Sequence, residues 1–591
     1  MNKNFLPISK KDMDERGWDE LDVILVSADA YVDHPSYGTA VISRVLESEG
    51  FRVGIIAQPD CSSIKDFVKL GRPRLFFGVS AGNLDSMVAN YTANKKPRSS
   101  DDYSPGGKTG LRPDRAVITY TNKIRQAFPG IAIVAGGMEA SMRRLAHYDY
   151  WSGKVRRSIL LDSKADILVY GMGENQIAEI ARHAKNGESV KSIRGIHGTV
   201  IASTASEDKI PGCVEIPSYE ETVTDADKFR TAFQTIYREA DPFRGRTIIQ
   251  KHGDRIVVQY PPARPLTTGE MDKIYALPFT RSYHPSYAKA GGVPGLETVR
   301  FSITSHRGCA GECSFCSLYM HQGRIIQSRS RESILKEVKN ISLGEDFKGT
   351  ITDIGGPTAN LYMSSCQNWQ GNGSCASKKC LVPEKCKNLK LGYDYTMKLW
   401  DDALKIPGVK HIFIGSGLRY DLLTSDASKK YLTRLCKKHV SGRVKIAPEH
   451  SEGEVLRLMN KPVFDSYLKF TKIFFDVNKS AGKEQYLVNY IISAHPGATL
   501  ESALNLSLEL MKLKIYPEQI QDFIPLPMTA SGCMYHTGKD FYTQNNIYVA
   551  KGERERKLQR ALVQYKNPDN RKYVIEALKS LNRMDLAKLF F

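Results

Sequence analysis

The sequence predicts an α/β protein that begins with a doubly wound parallel sheet, continues into a partial (βα)6 TIM-like barrel and ends in a small helical segment. Candidate strands and amphipathic helices alternate in two stretches of the chain, one before about residue 205 and one after about residue 296. Beyond residue 545 only the helical period of apolar residues remains. The predicted domains are residues 1–205, an irregular connecting extension over 206–295, the barrel over 296–545 and a helical module over 546–591.

Length, composition and charge limit the class of protein. The chain has 591 residues, more than one usual domain, and its 41% of hydrophobic residues is ordinary for a globular protein. No run reaches the roughly 18 apolar residues of a membrane span, and the polar N-terminus has no apolar signal segment. The charge of +20 fits an anionic partner such as nucleic acid or, as the even spread of lysines favours, a solvated surface. We therefore expect a cytoplasmic protein without a membrane partner.

Repeated strand–helix units predict the N-terminal domain. A strand over Asp22–Ser27 precedes an amphipathic helix that ends at Gly50. Ligands of such sheets lie at the carboxyl ends of the strands, so the loops DHPSYG, SAGN, GGMEAS and GMGE are its candidate binding loops. The run Arg143–Ser158 mixes arginines with aromatic residues and is predicted either as a substrate surface or as a packed helix. The further strand candidates of this domain are FRVGIIAQ, RLFFGVSAG, IAIVAGGMEAS and ADILVYGMGENQ.

The barrel is predicted from six units of the same kind. Val299, Phe301 and Ile303 alternate with polar residues and predict its first strand. A helix follows from about Ser330, with an apolar face that starts at Ile334. The five remaining strand candidates are GTITDIGG, HIFIGSG, RVKIAPEH, EQYLVNYIISAHPG and QIQDFIPLP.

Three cysteines follow the first predicted strand of the barrel. The segment SHRGCAGECSFCS places Cys309, Cys313 and Cys316 at the spacing C-x3-C-x2-C, with Phe315 before the last of them. Three thiolates at this spacing can each hold one iron of a 4Fe–4S cluster and leave the fourth iron open to a ligand. The alternatives are a partial zinc site or three unrelated thiols.

A second group of cysteines lies in an insert over residues 366–386, which reads CQNWQGNGSCASKKCLVPEKC. Four thiolates in a short insert rich in Gly and Lys predict a closed site for structural zinc or for an auxiliary iron–sulfur cluster, and the alternative is that they bind nothing. Together the two groups hold seven of the 11 cysteines, which favours metal ligation over disulfides. The four members, at the spacing C-x8-C-x4-C-x5-C, are Cys366, Cys375, Cys380 and Cys386.

The first cysteine pattern resembles the signature of the radical S-adenosylmethionine (SAM) superfamily, and the six strand–helix units resemble the barrel of that superfamily. This resemblance implies that Cys309, Cys313 and Cys316 hold a 4Fe–4S cluster whose open iron binds SAM. It also implies an electron donor such as flavodoxin or ferredoxin, and it identifies no catalytic hydrogen donor. The residues that it places around SAM are Gly355, Gly356, Ser416, Arg419 and Glu449, with His450 and His495 on neighbouring loops.

Longer motifs make the chain similar to the YgiQ-type radical SAM proteins along nearly its whole length. They include GGMEASMRRLAHYDYWSGKVRRSILLDS, SHRGCAGECSFCSL, DIGGPTANLY and APEHSEGEVLRLMNKP. The resemblance implies an enzyme that reductively cleaves SAM to act on a substrate that it does not identify. The last motif also resembles methylthiotransferases, so an enzyme that modifies RNA or protein is one alternative. A non-catalytic iron–sulfur sensor or scaffold is another.

Cobalamin is not expected in the N-terminal domain. Radical SAM enzymes often carry a cobalamin domain of this general layout, and the GMGE turn resembles one found there. The usual ligand motif is Asp-x-His-x-x-Gly, whereas Asp33 and His34 are adjacent in this chain. A domain that binds substrate or only packs is therefore preferred.

Overall fold

A computed structural model describes residues 5–204, 210–517 and 520–591 and divides into two compact units. The predicted boundary at residue 205 lies outside the described residues, as does Gln519 at the start of the last predicted strand. The four domain ranges therefore stay predictions. The first unit consists of Met1–Thr304, Met320–Glu337 and Gly371–Ser374, and the second of Ser305–Tyr319, Val338–Gln370 and Cys375–Phe591.

One mixed sheet forms the centre of the first unit. Its strands, in chain order, are β1 (Val23–Ser27), β2 (Val53–Ala57), β3 (Phe76–Ser80), β4 (Ala132–Gly136), β5 (Ile167–Val169), β6 (Thr199–Thr204), β7 (Val214–Ile216), β8 (Ile248–His252) and β9 (Arg255–Gln259). Their spatial order is β7-β8-β9-β6-β5-β4-β3-β1-β2. The strands β1 to β5 pair in parallel, and β6 joins them through an antiparallel pairing with β5.

The parallel part of this sheet follows from continuous apolar runs. Every residue of β1 is buried, and its register places Val23 opposite Val53 on one side and Phe76 on the other. Strands that are apolar on both faces need cover on both sides, which alternating helices provide. The predictions of β1 to β5, and of the helix that Gly50 follows, are confirmed in position. Gly50 has a φ of +83°, the left-handed conformation that ends many helices.

The run Arg143–Ser158 differs from one of its two predicted forms. Arg143–Ser158 contains a hairpin of His147–Asp149 with Lys154–Arg156, so the packed helix is wrong. The turn is closed where the Gly153 N–H donates to the Asp149 carbonyl at 2.9 Å, with Gly153 at a φ of +67°. Such a turn needs glycine, and it interrupts any helix there.

The chain between the predicted domains is more regular than expected. It contains the helix Ala226–Arg238 and the strands β7, β8 and β9, which extend the sheet. Further on, Pro294–Val299 is helical and the strand begins only at Ser302, so the strand predicted from Val299 is wrong at its start. Proline in the first helical turn fits the helix without losing a hydrogen bond.

Short parallel strands form the second unit. The strand Arg443–Glu449 pairs with Tyr486–Ser493, with Arg443 opposite Tyr486 and an irregularity between Ile446 and Glu449. The strand Tyr486–Ser493 in turn pairs with Ile520–Asp522. An isolated parallel bridge also joins Leu418 to Ile446. All five strand candidates after the cysteine loop are found at their predicted positions. They form six strands, because GTITDIGG contains two: β10 (Thr350–Ile351), β11 (Asp353–Gly355), β12 (His411–Ile412), β13 (Arg443–Glu449), β14 (Tyr486–Ser493) and β15 (Ile520–Asp522).

Helices follow the strands in both units. Those of the first unit are Lys10–Glu15, Gly38–Ser48, Lys65–Val68, Ser86–Asn90, Ala116–Ala127, Gly137–Met142, Ile159–Ser163, Glu174–Lys185, Tyr219–Thr224, Ala226–Arg238, Thr268–Tyr275 and Pro294–Val299. Those of the second are Tyr393–Ala403, Asp426–Lys438, Gly453–Met459, Phe464–Ala481, Leu500–Lys512, Ala530–Thr537, Glu553–Val563, Arg571–Ser580 and Ala587–Phe590. Leu318–Gln322 and Arg331–Ser342 each contain residues of both units. The remaining short strands are Val32–Asp33, Ser282–Tyr283, Ser302–Thr304, His306–Arg307 and Gln327–Ser328.

The predicted C-terminal helices are confirmed and have a core of their own. Leu504, on the helix Leu500–Lys512, packs with Leu558, Leu562 and Leu578 of the last helices. The helix at Leu500 starts at Thr499, whose side chain accepts a hydrogen bond from the Ser502 N–H, a normal N-cap. In the part of the chain that the structure describes, no helix is both long enough and apolar enough to cross a membrane.

Candidate cluster and cofactor site

The three loop cysteines lie on the wall of one cavity in the second unit. Cys309, Cys313 and Cys316 line a space of about 190 Å³. Residues near the carboxyl ends of the parallel strands line it too, among them Glu449 at the end of β13 and Arg419 after β12. Active sites of strand–helix barrels are built from such strand ends. The cysteine loop and the carboxyl ends of the parallel strands therefore line the same cavity.

Residues far along the chain hold the cysteine loop in its shape. The Ser314 hydroxyl donates to the Leu458 carbonyl at 2.6 Å, and the Ser314 N–H donates to the Met459 carbonyl at 2.9 Å. The Asn460 amide donates to the carbonyls of Glu312, at 2.8 Å, and of Gly311. The helix Gly453–Met459 thus supports the loop through its C-terminal end. Sequence reasoning missed this support, although these residues belong to the motif APEHSEGEVLRLMNKP.

We expect Asn460→Gly to weaken iron retention by the reconstituted protein about 10–100-fold, the usual cost of losing a group that orients a metal ligand. Asn460 has a φ of +54°, so glycine keeps the backbone and removes only the two amide bonds. The measurement is bound iron against increasing chelator. Asn582→Gly is the matched control, because Asn582 is exposed and has the same φ of +54°. Equal iron retention in Asn460→Gly and wild type would contradict this role.

The environment of the three thiols suits a positively charged metal group. Burial raises the pKa of Cys316 to about 12, and the neighbouring Cys313 and Cys309 thiols add to the rise. Burial also raises the pKa of Cys309, and again Cys313 adds to it. Thiols bind metal as thiolates, so positive charge beside them is needed to hold them deprotonated. Three thiols lining one cavity are a donor set that fits three irons of a 4Fe–4S cluster.

Arg419 is a cation within hydrogen-bond distance of one of these thiols. Its Nη1 lies 3.7 Å from the Cys313 Sγ, and its Nη2 pairs with the Asp421 carboxylate at 2.8 Å. Burial works against its charge, but Asp421 and then Cys313 outweigh burial and raise the pKa of Arg419. Asn360 clamps the same residue, since its side chain accepts from the Arg419 N–H at 2.9 Å and donates to the Arg419 carbonyl at 3.0 Å. Arg419 is therefore fixed in place as a donor to sulfur.

A second charged pair lies on the same cavity wall. Glu449 and Lys461 both line the cavity and both are buried, with 3.8 Å between the Glu449 Oε1 and the Lys461 Nζ. Burial raises the pKa of Glu449, while Lys461 and then Arg419 act in the opposite direction. Glu449 has a φ of +68° at the strand irregularity, a strained conformation of the kind often found at functional sites. A carboxylate and an ammonium side by side can bind the complementary charges of an amino acid.

The glycines predicted beside SAM have a packing role. A Cβ on Gly355 would lie 2.4 Å from the Ser416 Oγ, and one on Gly356 would lie 2.7 Å from the His306 carbonyl oxygen. The Ser416 hydroxyl donates to Asp353. Within the described residues, the lining of the cavity contains Arg419 and Glu449 but not Gly355, Gly356 or Ser416. These three residues are tightly packed next to the strand end, and their contact with SAM stays a prediction.

A buried histidine and two serines continue the support of the cysteine loop. The His495 Nε2 lies 2.6 Å from the Ser531 Oγ, which lies 2.8 Å from the Ser314 Oγ. The His495 ring also contacts Phe315 edge-on, with 6.2 Å between the ring centroids. Burial lowers the pKa of His495 to about 3, and burial has the same effect on His450. Both histidines are therefore neutral at neutral pH.

His495 is expected to make the protein less stable in acid. Its pKa is about 3 when folded and about 6.5 when unfolded, so below pH 6.5 the unfolded chain binds the extra proton and the stability is lost as pH falls. The cost is about 2 kcal/mol at pH 5. Denaturant unfolding of wild type and His495→Gln at pH 7 and pH 5 measures it: the variant should lose less stability on acidification. His411→Gln, on an exposed side chain, is the control. Parallel losses in wild type and His495→Gln would refute the assignment.

The four cysteines of the insert come together near the same loop. The Cys380 thiol interacts electrostatically with Cys375, Cys366 and Cys386, and also with Glu312, which lines the cavity. In the part of the chain that the structure describes, no three or more His, Cys, Asp or Glu side chains are arranged to hold a single metal ion. The metal-binding role of the insert stays a prediction at this point.

The residues of the imperfect cobalamin motif lie in the first unit and are buried. Asp33 pairs with Arg44 at 2.5 Å and accepts a hydrogen bond from the Thr280 N–H at 3.0 Å. The His34 Nδ1 accepts a hydrogen bond from the Ser36 N–H at 3.0 Å. The Asp33 carboxylate and the Nδ1 of His34 are thus bonded within the fold, whereas the His34 Nε2 is buried without a hydrogen-bond partner among the described residues. The expectation that cobalamin is not bound stays a prediction.

Three closely spaced cysteines lining a cavity at the ends of parallel strands are the arrangement of a radical SAM protein. A family model described as "Radical SAM N-terminal" matches residues 5–302, and one described as "Domain of unknown function (DUF3362)" matches residues 518–588. The chain belongs to the UPF0313 family, the YgiQ-type radical SAM proteins. The predicted family and the prediction of an enzyme are confirmed, and the family implies a 4Fe–4S cluster and SAM.

Relatives at high identity cover nearly the whole chain. A UPF0313 protein of Methanocella arvoryzae is 52% identical over 579 residues, which are 98% of this chain and 96% of that protein. A UPF0313 protein of Clostridium botulinum (strain Loch Maree / Type A3) is 50% identical over 585 residues, 99% of this chain and 90% of that protein. The family assignment thus extends over both compact units.

Solved structures show a more distant likeness. The radical SAM methyltransferase TsrM from Kitasatospora setae, with cobalamin and a 4Fe–4S cluster bound, is 16% identical and covers 87% of this chain and 75% of its own, with a TM-score of 0.49. The cobalamin-dependent radical SAM enzyme OxsB, with aqua-cobalamin bound, is 12% identical and covers 92% of this chain and 60% of its own, with a TM-score of 0.47. At these scores the likeness carries no argument about the ligands of this chain.

Proposed function

We propose that this protein binds a 4Fe–4S cluster through Cys309, Cys313 and Cys316 and reductively cleaves SAM in order to act on a further substrate. The observation that carries the proposal is the convergence of these three thiols and two buried charged groups, Arg419 and Glu449, on one cavity of about 190 Å³. The cluster would then lie in the partial (βα)6 barrel that the sequence predicts over residues 296–545. The proposed electron donor is flavodoxin or ferredoxin.

The chemistry of such a cluster is one-electron reduction of the SAM sulfonium, which yields methionine and a 5′-deoxyadenosyl radical. The protein itself supplies position and charge. Arg419 donates toward the Cys313 sulfur and offsets the negative charge of the thiolates. Glu449 and Lys461 present a carboxylate and an ammonium on the same wall, complementary to the amino and carboxylate groups of an amino acid.

The test is SAM cleavage by the full chain after anaerobic reconstitution with iron and sulfide and reduction with dithionite. We expect 5′-deoxyadenosine and methionine in equal amounts. A protein with a full cluster that forms neither product, and whose EPR signal does not change with SAM, would contradict the proposal. A changed EPR signal without product would mean that SAM binds and that turnover waits for the substrate.

Two parts of the proposal have separate tests. Cobalamin is left out because Asp33 and His34 are adjacent, whereas the usual ligand motif is Asp-x-His-x-x-Gly, and cobalt analysis after reconstitution with hydroxocobalamin checks this. A nucleic-acid substrate is the partner that the charge of +20 allows. RNA that copurifies with the protein and is lost at high salt would support it.

A further inference from the structure

The insert over residues 366–386 has little regular secondary structure that could stabilise its conformation. Its one helical segment is the short 3-10 turn Gln367–Gln370. Few apolar side chains pack there, with Trp369 and Leu381 buried to 6% and 1% exposure. Long loops without secondary structure are uncommon in compact proteins, and small segments without an adequate core usually need a metal or a covalent crosslink. We therefore expect a bound metal or a covalent crosslink to stabilise the insert.

The base of the insert is closed by the backbone. The Ser365 and Lys390 residues form an isolated antiparallel bridge, with N–H to carbonyl distances of 3.0 and 2.9 Å in the two directions. Inside this closed loop the Cys386 N–H donates to the Cys380 carbonyl at 2.8 Å, and the Trp369 N–H donates to the Cys366 carbonyl at 3.0 Å. Each of these bonds shapes a turn that starts or ends at a cysteine.

The side chains of the insert converge as well. The Cys380 thiol lies close enough to Cys375, Cys366 and Cys386 to interact electrostatically with each of them. The Asn368 amide donates to the Cys375 sulfur at 3.3 Å. Hydrogen bonds to sulfur of this kind accompany thiolates that ligate iron–sulfur clusters. A partly buried group of four thiolates is costly unless cationic metal offsets its charge.

We propose that Cys366, Cys375, Cys380 and Cys386 ligate a second, auxiliary iron–sulfur cluster. A zinc ion would draw four sulfurs to about 3.8 Å from each other, as tetrahedral bonds of about 2.3 Å require. The four thiols share one neighbourhood, yet no three of them, within the described residues, are arranged around a single ion. A cluster with an iron for each cysteine spaces its thiolates more widely. Four protein thiolates would also leave no open iron, so this cluster is not a second SAM site.

The place of the cluster connects it to the cavity described above. Glu312 lines the cavity of the three loop cysteines and is also a charged neighbour of the Cys380 thiol. The two groups of thiols therefore share one neighbouring side chain. This inference goes beyond the proposed function, since the second cluster would bind whether or not the chain cleaves SAM.

The test uses the full chain with Cys309, Cys313 and Cys316 replaced by alanine, so that the insert itself is not altered. After anaerobic reconstitution with iron and sulfide, we expect about four irons and four sulfides per chain, and a dithionite-reduced EPR signal that SAM does not change. Additional replacement of the four insert cysteines by serine should remove that iron. The matched control adds Cys436→Ala and Cys533→Ala instead, at two buried thiols outside the insert, and should keep it.

Three results would overturn the inference. One is iron at the level of the variant without all seven cysteines. Another is about one zinc per chain in place of iron, and the third is an EPR signal that responds to SAM. Disulfides within the insert, detected by mass spectrometry before and after reduction, would overturn the inference in the same way as the first result. Because the test protein lacks the three loop cysteines, its iron content does not depend on the proposed SAM cleavage, and either proposal can fail alone.

Discussion

Replacing Cys316 by alanine is expected to abolish the formation of 5′-deoxyadenosine from SAM. The residue lines the cavity beside Cys309 and Cys313, and burial holds its pKa at about 12 without metal. Without the Cys316 thiolate, a 4Fe–4S cluster loses one of its three protein ligands, and the cavity does not replace it. Product measured by chromatography under dithionite should fall to the level of a reaction without protein. The visible absorption of the loop cluster should fall as well.

Cys436→Ala is the matched control for this experiment. Cys436 is a buried thiol on the helix Asp426–Lys438, and it is not among the residues that line the cavity. The control should keep the iron of the loop cluster and form product at the rate of wild type. Cleavage of SAM by Cys316→Ala at the rate of the control would contradict the assignment of Cys316 as a cluster ligand.

Replacing Arg419 by alanine is expected to destabilise the protein by about 3–5 kcal/mol, because Asp421 then stays buried without its partner. The two side chains are only 7% and 9% exposed and pair at 2.8 Å. The same change removes the donor to the Cys313 sulfur. A cation near a cluster favours its more negative, reduced state, so the reduction potential should become more negative. Denaturant unfolding and a redox titration measure the two effects.

Arg434→Ala is the control for Arg419→Ala. Arg434 pairs with Asp401, but both side chains are partly exposed, at 31% and 40%. An exposed ion pair contributes about 0–1 kcal/mol, and we expect no change of the reduction potential. The assigned role of Arg419 fails if its variant unfolds and titrates like the Arg434 variant.

The fold was predictable wherever local pattern decides it. The strands β1 to β5 are continuous apolar runs. The strands from β10 to β15 stand at the predicted positions because they lie in five short segments separated by helices, with β10 and β11 in the same segment. The hairpin at His147–Asp149 was not predictable in this way. Its turn depends on Gly153 in a left-handed conformation, a choice that the mixture of arginines and aromatic residues does not reveal.

In the candidate site, too, the residues at short spacing were predictable and the distant ones were not. The three cysteines of the loop are within eight residues of each other, so their shared role is visible in sequence. The residues that hold the loop are not: Asn460 donates to Glu312 across 148 residues, and Ser531 lies against Ser314 across 217. No local pattern predicts contacts at such separations.

By itself the sequence determined the family, the group of cysteines and the order of strands, because these depend on residue types at short spacing. Only the tertiary structure decided that Arg419 donates to the Cys313 sulfur while Gly355 packs against Ser416 instead of lining the cavity. It alone placed Cys380 beside Glu312. The physical reason is that burial and charge act through space, so the neighbours of a group are known only once distant segments have packed together.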